Sequence, residues 1–278
     1  MTLILDHSFS FQRRAVAWGV MGEGPPLVLV HGTPFSAQVW RRIAPWLARR
    51  FRVHYFDLLG YGASDRGVGD VSLGVQNRVM AALWRHWALD RAHVLAHDFG
   101  GATALRAHLL DGLGFASLTI FDAVALAPWG SPFVRHVRDH EPAFAGLPDY
   151  AHRALLAAYL QGAAHNGLGD EALATYMAPW LGDPGQAAFY RQIAQMDRCW
   201  TDEIEPLLRV PDFPVQVMWG QQDAWLPLDQ GRRLAGLISD RALIEVPGCG
   251  HLMQEDAPEA IVAAVMETAA AAAAAVPS

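Results

Sequence analysis

An aspartate that could act as a nucleophile ends an apolar run in HVLAHDFGGAT, residues 93–103. Asp98 follows what reads as a buried strand, where an unpaired carboxylate costs several kcal/mol unless something compensates it. Small residues surround it, with Ala96 two positions before and Gly100 and Gly101 two and three positions after. This is the spacing of the G-x-S-x-G nucleophile elbow, with aspartate in place of serine. The stretch predicts a reactive carboxylate on a sharp turn between a strand and a helix.

Two further residues with acid–base chemistry follow later apolar runs. Asp223 lies in GQQDAWLP after VQVMWG, and His251 lies in CGHLMQEDAPE after ALIEVPG. Chemistry gathers at the carboxyl ends of strands in open parallel sheets, so both side chains are expected near Asp98. The chain order nucleophile, acid, histidine is that of a catalytic triad following such an elbow. The sequence therefore predicts a triad of Asp98, Asp223 and His251.

The stretch HGTP, residues 31–34, directly follows the first buried run. The backbone N–H groups of Thr33 and Phe99 are predicted to form an oxyanion hole, which stabilises negative charge on a reacting oxygen. No true G-x-S-x-G motif occurs, and the nearest stretch, GASDRG, places Ser64 in a turn that precedes no helix. A structural role is predicted for that serine.

The elements that must position these residues alternate between short apolar runs and longer helical patterns. Predicted strands cover 27–32, 51–57, 92–98, 118–124, 215–220 and 242–248. Predicted helices cover 38–50, 73–88, 100–111, 228–238 and 257–269. Because the runs are continuously apolar, the strands should be covered on both faces. The pattern predicts an α/β fold with a mostly parallel central sheet flanked by helices.

The alternation stops between about residues 128 and 211. This stretch is rich in alanine, leucine and proline and contains no convincing strand. We predict a helical cap over 128–211, inserted into a core domain formed by 1–127 and 212–278.

Composition excludes several classes of function. Of the 278 residues, 52% are hydrophobic and 18% charged, and the net charge is -7, which argues against nucleic acids and anionic membrane surfaces as partners. The only cysteines, Cys199 and Cys249, stand in no metal spacing, so no metal or cofactor is predicted and a reducing cytoplasm is expected. The expected partners are a small-molecule substrate and water, with the chain as a monomer or homodimer.

Five stretches resemble the α/β-hydrolase superfamily, and within it the epoxide hydrolases and haloalkane dehalogenases that use an aspartate nucleophile. They run from about residue 27 to 268 and read HGTPFSAQVWRRIAPWL, YFDLLGYGASD, AHDFGGATALRAHLL, WGQQDAWLP and GCGHLMQEDAPE. The resemblance implies that an ionised Asp98 attacks an electrophilic carbon and forms an alkyl-enzyme ester. His251, oriented by Asp223, would then activate water to hydrolyse it. Some dehalogenases hold their acid where this chain has Asp122, which leaves Asp122 as an alternative.

The resemblance implies two possible reactions with different requirements in the cap. Epoxide hydrolases donate a proton to the departing oxygen from cap tyrosines, one of them in a Tyr-Arg pair, and Tyr190 in AAFYRQIAQMD falls on that position. The usual position of the other tyrosine holds none, so Tyr150 and Tyr159 are the candidate substitutes. Pro34 and Trp129 complete the predicted substrate pocket.

Halide release instead requires N–H donors. Haloalkane dehalogenases typically place tryptophan after the nucleophile and many place asparagine after His-Gly, where this chain has Phe99 and Thr33. Fluoroacetate-type dehalogenases have arginine after the aspartate, which is also absent. Phe99 therefore favours opening of a small or aromatic uncharged epoxide. Haloalkane dehalogenation is the alternative, because HGTPFSAQVW resembles the dehalogenase loop, and a non-catalytic small-molecule binder is the second alternative.

Overall fold

The computed structural model describes residues 2–275 and contains one sheet of eight strands. They are β1 (His7–Phe11), β2 (Arg14–Met21), β3 (Pro26–Val30), β4 (Arg52–Phe56), β5 (Arg91–His97), β6 (Gly114–Phe121), β7 (Val215–Gly220) and β8 (Ile244–Val246). Their order across the sheet is β1-β2-β4-β3-β5-β6-β7-β8. Strands β3 to β8 run parallel, and β2 is antiparallel to both of its neighbours. The prediction of an α/β fold with a mostly parallel sheet is confirmed.

Burial on both faces explains why the inner strands read as continuous apolar runs. All six residues of β7 are buried, as are the last four of β3 and of β5. Helices cover such strands on both sides, which removes the alternation of a half-exposed strand. The register pairs Val30 of β3 with Ala96 of β5. The HGTP loop and Asp98 therefore leave the sheet side by side.

Twelve α-helices lie within residues 2–275 and are numbered in chain order. They are α1 (Ala44–Leu47), α2 (Leu73–His86), α3 (Phe99–Asp111), α4 (Pro132–Asp139), α5 (Glu141–Ala145), α6 (Asp149–Gln161), α7 (Asp170–Met177), α8 (Gly182–Ala194), α9 (Cys199–Asp202), α10 (Leu228–Ile238), α11 (Met253–Asp256) and α12 (Pro258–Ala274). Helix α3 packs on β5, α10 on β7, and α12 on β6 and β7. These contacts bury the faces of the sheet that positions Asp98.

The prediction of one continuous helix over 38–50 is wrong. The structure has a 3₁₀ helix at Ala37–Arg42 and then the single turn α1. Pro45 lies in the first turn of α1. A proline has no backbone N–H, and its ring clashes with the carbonyl four residues earlier, so the first helix cannot continue through it.

Between β6 and β7, residues 122–214 contain only helices, turns and loops. Helices α4 to α9 occupy this stretch, and α8 contacts α4 and α5. It is tied to the HGTP loop by the indole N–H of Trp180, which donates to the carbonyl of Pro34 at 2.7 Å. The stretch therefore lies over the carboxyl edge of the sheet. Its treatment as a separate cap with boundaries at 128 and 211 stays a prediction.

Within residues 2–275, none of the helices is both long and apolar enough to cross a membrane.

Candidate active site

Asp98 occupies the turn between β5 and α3. Its backbone has φ 51° and ψ −120°, a conformation that residues other than glycine rarely adopt. A side chain at Gly100 would overlap the carbonyl of Val30, so only glycine allows this close approach of helix to strand. The side chain of Asp98 is nevertheless nearly inaccessible, with 3% of its surface exposed. The local geometry is that of the strained elbow predicted from the sequence.

Three neighbouring groups offset the cost of burying the Asp98 carboxylate. The backbone N–H of Thr33 donates to Oδ1 at 2.7 Å. Nε2 of His251 lies 3.5 Å from Oδ2. Helix α3 begins at the next residue, and the positive end of its dipole favours a negative charge there. In the part of the chain that the structure describes, the predicted second amide, that of Phe99, makes no hydrogen bond to Oδ1.

His251 and Asp223 form a hydrogen-bonded pair at the carboxyl ends of β8 and β7. Nδ1 of His251 donates to Oδ2 of Asp223 at 2.9 Å. The other oxygen of Asp223 accepts the backbone N–H groups of Trp225 and Leu226, at 2.7 and 2.9 Å. The ring nitrogen Nε2 of His97 lies 2.9 Å from the carbonyl oxygen of His251, which accepts its proton. These further hydrogen bonds fix the positions of both Asp223 and His251.

The charges around His251 favour its protonated form. Burial lowers the pKa of His251, but the carboxylates of Asp223 and Asp98 outweigh burial and hold the pKa well above its ordinary value. The ring has no exposed surface. An imidazolium between two carboxylates is therefore the favoured state before any ester forms.

Asp122, the alternative acid, does not reach His251. It is fully buried after β6, and its Oδ1 accepts the backbone N–H of Gly220 at 2.8 Å. Its Oδ2 has no hydrogen-bond partner among residues 2–275. Burial, and next the charge of Asp223, raise the pKa of Asp122 well above its ordinary value. The geometry therefore favours Asp223 as the partner of the imidazole and a protonated Asp122 beside it.

A small apolar cavity of about 40 Å³ lies against Asp98. Its walls include Trp129 and Tyr159, which the sequence predicts there, and Phe99, which the sequence predicts only as a backbone donor. The remaining lining residues are Thr33, Val124, Gly130, Ser131, Val134, Met196, Trp225 and Leu226. Ligand pockets commonly measure about 300–1,000 Å³, so side chains or the cap must shift before a substrate enters.

The predicted positions of Tyr190, Tyr150 and Pro34 require correction. Tyr190 is buried within the cap, where its hydroxyl donates to Nδ1 of His152 at 2.9 Å, and it does not line the cavity. Tyr150 is 77% exposed, and Pro34 is buried beside Thr33 without lining the cavity.

Helical periodicity explains which cap residues face Asp98 instead. Residues nine apart on a helix point in opposite directions, so Tyr159 reaches the cavity while Tyr150, on the same helix α6, faces solvent. On α8, Tyr190 and Gln192 are two positions apart and also point to nearly opposite sides. Gln192 faces the core loops, and Met196, one turn further, lines the cavity.

Two residues near the site lie outside the predicted set. Oε1 of Gln192 accepts hydrogen bonds from the hydroxyls of Thr33 and Tyr61, at 2.8 and 2.9 Å. Within residues 2–275, the buried Nε2 of Gln192 has no partner. Burial raises the pKa of Tyr61, and the charge of Asp98 raises it further. The YGASD turn is visible in the sequence, but nothing in it indicates this contact with the cap.

The close approach of the HGTP loop to Asp98 leads to a testable prediction. A Cβ at Gly32 would lie 2.6 Å from Oδ1 of Asp98. Gly32→Ala should displace the carboxylate and slow ester formation in single-turnover assays by about 100-fold for a shift near 1 Å. Gly236→Ala in α10 is the matched control, because a Cβ there meets nothing within 4 Å. Equal rates in the two variants would contradict this prediction.

The sequence of residues 27–264 matches the model of a known family, described as the alpha/beta hydrolase family. Among curated proteins, haloalkane dehalogenase 2 of Mycobacterium tuberculosis is 28% identical over 275 residues, which cover 93% of each chain.

Solved structures show the same likeness. An alpha/beta hydrolase fold protein from Burkholderia ambifaria is 59% identical, covers 96% of this chain and 99% of its own, and superposes with a TM-score of 0.95. Haloalkane dehalogenase DbeA from Bradyrhizobium elkani is 21% identical, with coverages of 97% and 99% and a TM-score of 0.84. Epoxide hydrolase CorEH is 22% identical, with coverages of 95% and 98% and a TM-score of 0.75. At such identities the last two likenesses concern the fold alone.

Proposed function

The chain belongs to the alpha/beta hydrolase family, and we propose that it opens small uncharged epoxides to diols through a covalent ester on Asp98. The observation that carries this proposal is the hydroxyl of Tyr159. Tyr159 and Asp98 line the same cavity, and within residues 2–275 the hydroxyl makes no hydrogen bond. Burial raises the pKa of Tyr159, and the charge of Asp98 raises it further, so the phenol keeps its proton at neutral pH. A phenol that retains its proton beside the nucleophile suits epoxide opening.

The indole N–H groups around the cavity fit halide binding less well. Phe99, directly after the nucleophile, has no donor. The indole N–H of Trp129 donates to the hydroxyl of Thr201 at 2.8 Å. The indole nitrogen of Trp225 lies beside Gly162, where an added Cβ would be 3.7 Å away, at the end of α6. The side chain of Phe99 therefore offers no donor and the indole N–H of Trp129 is already engaged, whereas the phenol of Tyr159 makes no hydrogen bond among residues 2–275.

In the first proposed step, Oδ2 of Asp98 attacks an epoxide carbon while Oδ1 stays bonded to the Thr33 amide. The new C–O bond forms as the epoxide C–O bond breaks, and the departing oxygen takes the phenol proton of Tyr159. No base is required, because the carboxylate is already charged. The product of this step is an ester that carries a neighbouring hydroxyl group.

In the second step, the ester is hydrolysed at the carbonyl carbon of Asp98. The ester removes the charge of Asp98, and the imidazolium of His251 then releases its proton to solvent. The neutral Nε2 of His251 removes a proton from water, and Asp223 stabilises the imidazolium that forms again. The oxygen atom Oδ1 becomes negative in the tetrahedral intermediate, where the Thr33 amide already donates to it and the Phe99 amide is adjacent. Collapse releases the diol, which takes the imidazolium proton. The re-formed carboxyl group of Asp98 loses its proton to solvent, and Tyr159 and His251 each regain one from solvent.

Replacement of Tyr159 by phenylalanine tests the proposal. Tyr159→Phe should slow ester formation from 1,2-epoxybutane by about 100-fold, because the departing oxygen loses its proton donor. Tyr190→Phe is the matched control and should keep the rate of the unchanged enzyme, since its hydroxyl bonds His152 instead. Single-turnover quenching followed by intact-mass spectrometry gives both rates. An unchanged rate in Tyr159→Phe would remove the phenol from the mechanism.

Haloalkane dehalogenation is the second candidate, and the unpartnered amide nitrogen of Gln192 favours it. The oxygen of the same amide accepts the hydroxyl of Thr33, whose backbone N–H binds the nucleophile, and a halide would satisfy the N–H groups of the amide. Release of chloride or bromide from 1-halobutanes, lost in Gln192→Leu, would support this candidate over the epoxide reaction.

A further inference from the structure

Trp225 contacts the two side chains that the proposed mechanism uses for proton transfer. Its indole packs against the imidazole of His251, with ring centroids 4.8 Å apart and planes inclined by 31°. It also stacks on the phenol of Tyr159, at 4.6 Å and 18°. Phe35 lies nearly parallel to the same indole at 6.3 Å. An aromatic stack of this kind restricts the orientation of each ring in it.

The backbone of Trp225 contacts Asp223, the acid that orients His251. Its N–H donates to Oδ1 of Asp223 at 2.7 Å, while Oδ2 of the same carboxylate accepts from His251 at 2.9 Å. The indole itself lines the cavity next to Asp98. One residue thus touches the acid, the histidine and the phenol.

Ester formation changes which groups stabilise the imidazolium. The titratable groups around the imidazole of His251 are Asp98, Asp223, Asp122 and His97. Burial lowers the pKa of His97 to about 3, so it is neutral near pH 7. Once Asp98 carries the alkyl group it has no charge, so Asp223 remains as the hydrogen-bonded carboxylate. The face of an indole also attracts a cation, and it does so in both states of the enzyme.

We propose that Trp225 is a positioning residue that holds His251 and Tyr159 in their reactive orientations and stabilises the imidazolium during ester hydrolysis. This inference rests on the proposed function. It assigns to the loop after β7 a role beyond supplying Asp223, and it makes the two proton transfers depend on one side chain.

The direction of the expected shift in the pH profile follows from the positive charge of protonated His251. If the indole stabilises protonated His251, its removal lowers the pKa of the imidazole, and the neutral base then persists to lower pH. In Trp225→Leu, the acid limb of the hydrolysis rate should move to lower pH by about half a unit. The maximal rate of hydrolysis should fall as well, because the imidazole of His251 is no longer held in place by the indole. Trp225→Phe keeps an aromatic face and should recover most of both properties.

Two measurements test this inference. The first is the pH dependence of single-turnover hydrolysis of the ester formed from 1,2-epoxybutane. The second is NMR titration of the His251 ring in substrate-free enzyme, with Trp225→Leu compared with Trp225→Phe. Trp46→Leu is the matched control, because Trp46 is 61% exposed on α1, outside the site.

The outcomes separate this inference from the proposed function. A downward shift in Trp225→Leu in both measurements, with recovery in Trp225→Phe, is the expected result. Equal pH limbs with a uniform loss of rate would overturn the role of Trp225 in stabilising the imidazolium. If the unchanged enzyme forms no ester but the NMR titration still shifts, the proposed reaction fails while the contact between Trp225 and the imidazolium stands.

Discussion

His251→Ala should form the ester on Asp98 and fail to hydrolyse it. Attack on the substrate uses the carboxylate and the phenol of Tyr159 but no base, and the carboxylate keeps its hydrogen bond from the Thr33 amide in this variant. Hydrolysis needs a base, and Nε2 of His251 lies 3.5 Å from the carboxylate that becomes the ester. We expect steady-state turnover to fall by roughly 10⁴-fold while the enzyme accumulates as the intermediate.

Intact-mass spectrometry measures this result directly. The variant is incubated separately with 1,2-epoxybutane and with 1-bromobutane. An adduct equal to the whole epoxide supports the epoxide reaction, and an adduct equal to the bromide minus hydrogen bromide supports the dehalogenase. The double variant with Asp98→Asn is the control and should carry no adduct. No adduct in any enzyme across a wider set of substrates would favour the non-catalytic binder.

Asp223→Asn should lose most of the rate of ester hydrolysis, whereas Asp122→Asn should retain that rate. Asp223 bonds Nδ1 of His251, and an amide there can present N–H groups that favour the wrong tautomer of the imidazole. Changes of this type in an aspartate–histidine pair reduce turnover by about 10⁴-fold. Burial and the charge of Asp223 raise the pKa of Asp122 well above its ordinary value, which favours the neutral acid, so a neutral amide should replace it with little change in charge.

Pre-steady-state measurements distinguish the two variants. In Asp223→Asn the ester should form at nearly the rate of the unchanged enzyme and then persist, because the first step does not use the imidazole as a base. Asp122→Asn serves as the matched control, since it removes a carboxylate from the same end of the sheet. Slow ester hydrolysis in Asp122→Asn with normal hydrolysis in Asp223→Asn would assign the acid to Asp122.

Both experiments depend on an ionised Asp98 in a site with almost no solvent. Its compensation comes from three separate parts of the chain: the Thr33 amide after β3, the start of α3, and His251 after β8. The imidazolium is stabilised by Asp98 and Asp223 together. Removal of one charge therefore alters the others, and effects of paired substitutions should not be additive.

The sequence by itself predicts the sheet, the elbow and the chain order of Asp98, Asp223 and His251. Continuous apolar runs mark strands buried on both faces, and small residues around Asp98 mark a turn that larger side chains would obstruct. The carboxyl ends of parallel strands meet at one edge, so residues that follow them can be expected together. These properties depend on local pattern and on the topology of the sheet. They can therefore be predicted from the sequence alone.

The tertiary structure decides which side chains face the nucleophile. In the structure Asp223 bonds His251 and Asp122 does not, although both follow strands. It also places Tyr159 at the cavity and Tyr190 against His152. Helical rotation and the packing of the cap on the core set these directions, and both depend on contacts between residues far apart in the chain. Such contacts leave no mark in the local sequence pattern, which is why the choice of Tyr159 over Tyr150 and Tyr190, and the contacts of Trp225, required the folded molecule.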